Sequence, residues 1–153
     1  MQYINSATGD DDECIFCKFY AADDDKESHI LYRGDTTFVI LNAYPYNSGH
    51  LMIAPHRHVG DLHELSAGER SEVMEVTSAS VDLLRQALAA HGFNVGMNLG
   101  RVAGAGIPGH LHMHVVPRWG GDTNFMPVVG DTKVLPEMLA ETDAKLRPLF
   151  ERL

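Results

Sequence analysis

The chain is short of cysteine, of tryptophan and of positive charge, and it has no long apolar run. Its 153 residues include two cysteines, one tryptophan, and 12 Lys and Arg against 21 Asp and Glu, for a formal net charge of -9. Two cysteines cannot build the disulfide framework of a small secreted domain. An acidic chain lacks the basic patches that attract nucleic-acid backbone or anionic membrane, so neither is expected as a partner. No stretch approaches the roughly 20 apolar residues of a membrane span. The first residues are polar and acidic rather than basic and apolar, and a cytoplasmic protein is expected. Much of the acidic excess lies in Asp10, Asp11, Asp12 and Glu13 and in Asp23, Asp24, Asp25 and Glu27, read as solvated turns.

What is present is an ordinary globular body. Hydrophobic residues make up 44% and charged residues 22%, and the length suits one domain with its own core. Residues 1–13 lack periodicity and read as a flexible arm; 14–153 read as a single domain. A short helical stretch is expected from Ile15 to Ala22, then strands at Ile30–Tyr32, Phe38–Leu41 and Leu51–Ala54. Ser66 with Glu69 forms a capping-box pattern, and Val73, Thr77, Val81, Leu84 and Leu88 recur at helical spacing up to Gly92. Two further strands are expected at Phe93–Asn98 and His110–Val116. Pro136 opens a C-terminal helix with Leu135, Met138, Leu139 and Leu146 on its apolar stripe, which Pro148 bends or ends. The order implies an α+β fold, an antiparallel sheet with one long central helix and a C-terminal helix packed on one face.

The run His110-Leu111-His112-Met113-His114 carries most of the functional information. In extended backbone the three imidazoles share one side, and Leu111, Met113 and Val115 share the other. Imidazole serves near neutral pH as nucleophile, proton carrier or metal ligand. On the residues alone two chemistries stay open: nucleophilic attack, or a catalytic zinc held by the triad. His29, His63 and His91 have no such company and read as ordinary surface or hydrogen-bonded residues. Ahead of the triad, residues 98–109 hold four glycines, Gly100, Gly104, Gly106 and Gly109. Such a loop lets backbone N–H groups approach phosphate oxygens. Trp119 and Phe125 could stack on a base, but packing is the expected role beside a strand end.

The run from Gly49-His50 through Pro55-His56-Arg57-His58, followed by Asn98 and by His110 to Val116, resembles the histidine triad superfamily of nucleotide hydrolases and transferases. The likeness spans roughly residues 14–130. Leu41-Asn42-Ala43-Tyr44-Pro45-Tyr46-Asn47 and the segment from Pro117 to Phe125 are most similar to the bacterial diadenosine tetraphosphate phosphorylase and hydrolase branch. The resemblance implies a homodimer that attacks an α-phosphorus through His112, with the other ring nitrogen of His112 held by a backbone carbonyl of the motif. It implies that His114 contacts phosphate and assists the leaving group, that His50 supports the cluster, that Asn42 contacts ribose, and that Asn98 with Gly104, Ala105 and Gly106 binds phosphate oxygens. Many relatives have a hydroxyl or amide side chain where this chain has Ala105 and Gly106, so only backbone N–H remains there. Adenine nucleotides are the implied substrates, with water or inorganic phosphate as second nucleophile. A phosphoramidase, a zinc hydrolase and a nucleotide-binding regulator are the alternatives.

Cys14 and Cys17 form Cys-x-x-Cys, a pattern of metal binding or redox exchange in a reducing compartment. Some members of the superfamily complete such a pair with the His of a Pro-x-x-His turn and the first triad histidine. Here that implies a structural zinc on Cys14, Cys17, His58 and His110, closed to water, with no organic cofactor.

Overall fold

The structure, a computed structural model, describes residues 14–22, 24–122 and 137–153. The expected N-terminal arm, Asp23, Phe125, Leu135 and Pro136 lie outside the described residues. Among the described residues five strands form one antiparallel sheet: β1 (Ile30–Arg33), β2 (Thr37–Leu41), β3 (Leu51–Pro55), β4 (Gly92–Met97) and β5 (Met113–Arg118), in the order β1-β2-β3-β5-β4. Helix α1 (Ile15–Ala21) precedes the sheet, α2 (Ala67–Leu88) links β3 to β4, and α3 (Leu139–Phe150) closes the chain.

The period-two alternation of the strands sorts the core into two layers. Val39, Leu41, Leu51, Ile53, Met113 and Val115 face Val73, Val76 and Leu84 of α2 and Leu146 and Phe150 of α3. Phe38, Ile40, Met52 and Ala54 face the other way, against Cys14 and Phe16. Helices on one face therefore describes the two long helices, whereas α1 covers the opposite face. Phe16 and the thiols give that short helix an apolar side of its own.

Helix α2 begins as its sequence implies. The Ser66 hydroxyl accepts from Glu69 N–H at 3.2 Å and the Glu69 carboxylate accepts from Ser66 N–H at 2.7 Å; caps of this kind stabilise by about 1 kcal/mol. It stops before Gly92, at Ala89, which adopts the left-handed conformation with φ 49°. In α3 the expected stripe is corrected: Met138 is 72% exposed, and Thr142 and Asp143 join Leu146 and Phe150 in burial. Pro148 lies in its last turn, two residues before the end.

One boundary matters for function. The ladder of β5 begins at Met113, so His110, Leu111 and His112 precede the strand rather than belong to it. Continuing the Ile53–Met113 register would set Leu111 opposite Pro55, which has no N–H to give. The Leu111 N–H instead donates to the Val59 carbonyl at 2.6 Å. Gly49 fixes the approach to β3: its φ is 77°, and a Cβ there would lie 2.5 Å from Leu88 Cδ1. Among the described residues no helix is long and apolar enough to cross a membrane.

Candidate active site

Backbone carbonyls and amides decide which nitrogen of each imidazole carries the proton. His112 Nδ1 lies 2.8 Å from the His110 carbonyl oxygen, which only accepts, so Nδ1–H donates and Nε2 holds the lone pair. That ring is 6% exposed; its Nε2 has no hydrogen-bond partner among the described residues and is not sealed from solvent. His50, fully buried at the entry to β3, accepts at Nδ1 from the Tyr46 N–H at 3.1 Å. Its proton therefore sits on Nε2, which donates to His114 Nδ1 at 3.0 Å. His114 in turn keeps its own proton on Nε2. The His112 and His114 rings stand edge to face, with centroids 4.8 Å apart.

Burial favours the neutral form of both rings. It lowers the His112 pKa, with the His110 carbonyl acting in the opposite sense. It lowers that of His114 to about 4, with a smaller contribution from the neighbouring His112. At neutral pH the pair thus offers one lone pair and one uncharged N–H donor. The Asn42 amide nitrogen is 3.3 Å from His50 Nδ1, and its oxygen accepts from the Tyr44 N–H at 2.9 Å. The loop bearing His50 is braced against β5 by Asn47, which donates to the Pro117 carbonyl at 3.1 Å and to Asp122 at 2.9 Å. The Arg118 guanidinium beside Asp122 holds that carboxyl well below the usual range.

The glycine-rich loop lies next to these rings. Met97 pairs with Met113, so Asn98 is one step beyond the last rung, level with His112. Gly96 pairs with His114, and a Cβ at Gly96 would meet open space, which leaves room beside the imidazole. Asn98 donates to the Gly104 carbonyl at 3.4 Å and so holds the loop. The N–H groups of Gly104 and Ala105 are already donated inside the loop, to Arg101 and Gly100. Among the described residues the Gly106 N–H is not.

A second cluster adjoins the first through His110. Its Nε2–H donates to the Pro55 carbonyl at 2.9 Å, which leaves the Nδ1 lone pair facing Cys14 Sγ at 3.4 Å and Cys17 Sγ at 3.5 Å. His58 Nδ1 is 3.4 Å from Cys17 Sγ. All four donor atoms lie within 4.8 Å of one another, close enough to hold one metal ion. A tetrahedral ion with thiolate bonds of about 2.3 Å and imidazole bonds of about 2.0–2.1 Å has sulfur–nitrogen edges of roughly 3.5 Å, so the residues fit such an ion. Two sulfurs converging on one lone pair fit a shared cation better than two S–H donors competing for it. Among the described residues His110, His112 and His114 form no metal group together, and the alternative of a triad-held zinc is not supported.

The HIT domain family model matches residues 23–121, well over half of the sequence. This chain belongs to the HIT family. The HIT chain is 46% identical over 118 residues to the AP-4-A phosphorylase of Mycobacterium tuberculosis, covering 77% of itself and 60% of that protein's length. It is 30% identical over 109 residues to a HIT-like protein of Methanocaldococcus jannaschii, covering 71% of itself and 81% of that protein. Its fold matches that of a zinc-bound histidine triad family protein from Mycobacterium smegmatis, with a TM-score of 0.75, 24% identity and coverage of 94% and 96% of the two chains.

Several contacts of this HIT site were not visible in the sequence. The Pro55 carbonyl that sets the His110 tautomer comes from a distant strand. Tyr46 stacks on His50 with centroids 4.8 Å apart, and Phe16 packs against both His110 and His112 at 5.1 and 4.9 Å. Arg57, between the histidines of the Pro55–His58 turn, grips buried Glu69 at 2.7 and 2.8 Å and ties that turn to α2. The one available signal was position, since Phe16 stands between the two cysteines. His63, His91 and Trp119 take ordinary roles: His63 pairs with Asp61 at 3.2 Å, His91 accepts from the Gly120 N–H at 3.0 Å, and Trp119 donates to the Leu88 carbonyl at 3.2 Å.

Proposed function

We propose that this HIT protein cleaves dinucleoside polyphosphates, diadenosine tetraphosphate first among them, at the α-phosphate through a covalent nucleotidyl-His112. The observation that carries this is the 2.8 Å bond from His112 Nδ1–H to the His110 carbonyl, because it leaves Nε2 as the nucleophilic atom. As Nε2 bonds to phosphorus, positive charge develops on the ring and the Nδ1–H···O=C bond becomes charge-assisted. The phosphorus–oxygen bond to the leaving nucleotide breaks, and the uncharged Nε2–H of His114, oriented by His50, hydrogen-bonds the departing oxygen. Asn98 and the Gly104–Gly106 backbone receive the non-bridging oxygens. Only Gly106 offers an N–H at once, so those of Gly104 and Ala105 take part after the loop relaxes. Asn42 contacts the ribose. Inorganic phosphate or water then attacks the phosphorus and releases His112.

The same reading assigns a structural zinc to Cys14, Cys17, His58 and His110, in a reducing, cytoplasmic setting that keeps both thiols available. The exposed edge strand β4, with Val95 45% exposed, supports a homodimer that continues the sheet. Product analysis with diadenosine tetraphosphate separates the second nucleophiles. ATP with ADP only when phosphate is added is the expected result, ATP with AMP marks hydrolysis, and no product in either condition contradicts the proposal.

A further inference from the structure

We propose that the four-donor cluster positions the nucleophile as well as stapling the N-terminal helix: His110 and Phe16 carry the geometry of Cys14, Cys17 and His58 to the His112 ring. This rests on reading the cluster as a metal site and His112 as the nucleophile.

His110 takes part in both sites with different atoms. Its Nδ1 faces the sulfurs, its Nε2–H is held by the Pro55 carbonyl, and its own carbonyl accepts the His112 Nδ1–H. The residue is 1% exposed, so a rotation of its ring displaces packed neighbours and the peptide that orients His112. The second link is Phe16. It too is 1% exposed, and its ring lies against His110 and His112 together, forming the wall behind the nucleophile. That wall stands on a weak foundation. Helix α1 has seven residues and no side-chain cap at Cys14, and helices shorter than about 12–15 residues are marginal unless something anchors them. Cys14 and Cys17, on either side of Phe16, are those anchors. Without the ion the His110 ring loses one of its two restraints and α1 loses its anchors, and both changes reach His112 through the His110 carbonyl and the Phe16 ring, with no ligand of the ion touching substrate. His110 and Phe16 are therefore positioning residues.

The test uses the full chain, labelled with ¹⁵N in histidine, as purified with zinc and after dialysis against a chelator. The zinc form is expected to show His112 as a single Nδ1–H tautomer. The metal-depleted form, folded by circular dichroism, is expected to show mixed His112 tautomers and a kcat lower by about 10- to 100-fold with little change in KM, the size of effect that ångström-scale misplacement produces. Phe16→Leu is expected to keep one zinc per chain and lower kcat by about tenfold with a broadened His112 signal. Where depletion unfolds the chain, Phe16→Leu decides the matter. An unaltered His112 spectrum and kcat in folded, metal-free protein overturn the proposal, as do wild-type values in Phe16→Leu or a chain that binds no zinc. If zinc-loaded wild type turns over no nucleotide, the functional reading falls, while the His112 spectrum still judges the coupling.

Discussion

Acidification tests the electrostatics of the site directly. Burial moves the His114 pKa from 6.5 to about 4. At pH 5 an imidazole titrating at about 6.5 is roughly 3% neutral and one titrating at about 4 is roughly 90% neutral, a ratio of about 30. His112 is displaced in the same direction. The acid limb of kcat/KM, which reports the free enzyme, is therefore expected at lower pH than the 6.5 of an ordinary imidazole. Stability follows the same equilibrium. The unfolded chain takes up the His114 proton near pH 6.5 and the folded chain near pH 4, so the contribution is full above 6.5, declines as the pH falls through that window, and is constant below it. At about 1.4 kcal/mol per unit the whole shift amounts to about 3 kcal/mol, which solvent screening of this half-buried ring cuts to about 1–2 kcal/mol. Urea denaturation at pH 7 and pH 4.5, wild type against His114→Gln, isolates that term, and histidine NMR gives the midpoints. A His114 midpoint at or above pH 6, with activity halved there, would refute the reasoning.

Three other perturbations have defined outcomes. Arg57→Ala leaves the Glu69 carboxylate with the Ser66 N–H alone and should lower stability in chemical denaturation; because Arg57 holds the Glu69 pKa at about 2, the contribution of the pair is present above the ordinary glutamate range and lost as pH falls through about 2. Gly49→Ala combines a left-handed φ with a collision against Leu88 and should lower stability by about 1–3 kcal/mol, read as a drop in Tm. His50→Ala removes the donor that orients His114 and should reduce kcat by about 10- to 100-fold with a smaller effect on KM in steady-state assays; unchanged kcat would contradict the assigned tautomers.

Local signals carried much of the architecture. Ser66 and Glu69 announced α2 because a capping box is made by neighbours in sequence, and alternation placed all five strands to within three residues at each end. The failures have long-range causes. Nothing near His110 in the sequence indicates that β3 ends in a proline where the ladder would reach Leu111, so the expected strand runs through the first two triad histidines. Met138 has the right spacing for a stripe, but only the docking of α3 shows that it faces water. The seven residues of α1 do not by themselves show which face they bury, which is decided by Phe16 meeting the far side of the sheet. At the site, the His110-x-His112-x-His114 run and the Cys14-x-x-Cys17 pair are legible as residue types at particular spacings, whereas His50, His58 and the joining of His110 to the cysteines enter only through the family resemblance. The tautomers are not legible, since these depend on the Pro55 carbonyl and the Tyr46 amide. The spent N–H groups of Gly104 and Ala105 were hidden for the same reason.

The most direct measurement is rapid quench of the protein with diadenosine tetraphosphate labelled in the α-phosphate, followed by mass spectrometry of the histidine peptides. An acid-labile adenylyl group on His112, formed within one turnover and absent from His112→Ala, is the expected result. Full product release without protein-bound label at any time, or label on another residue, would contradict it.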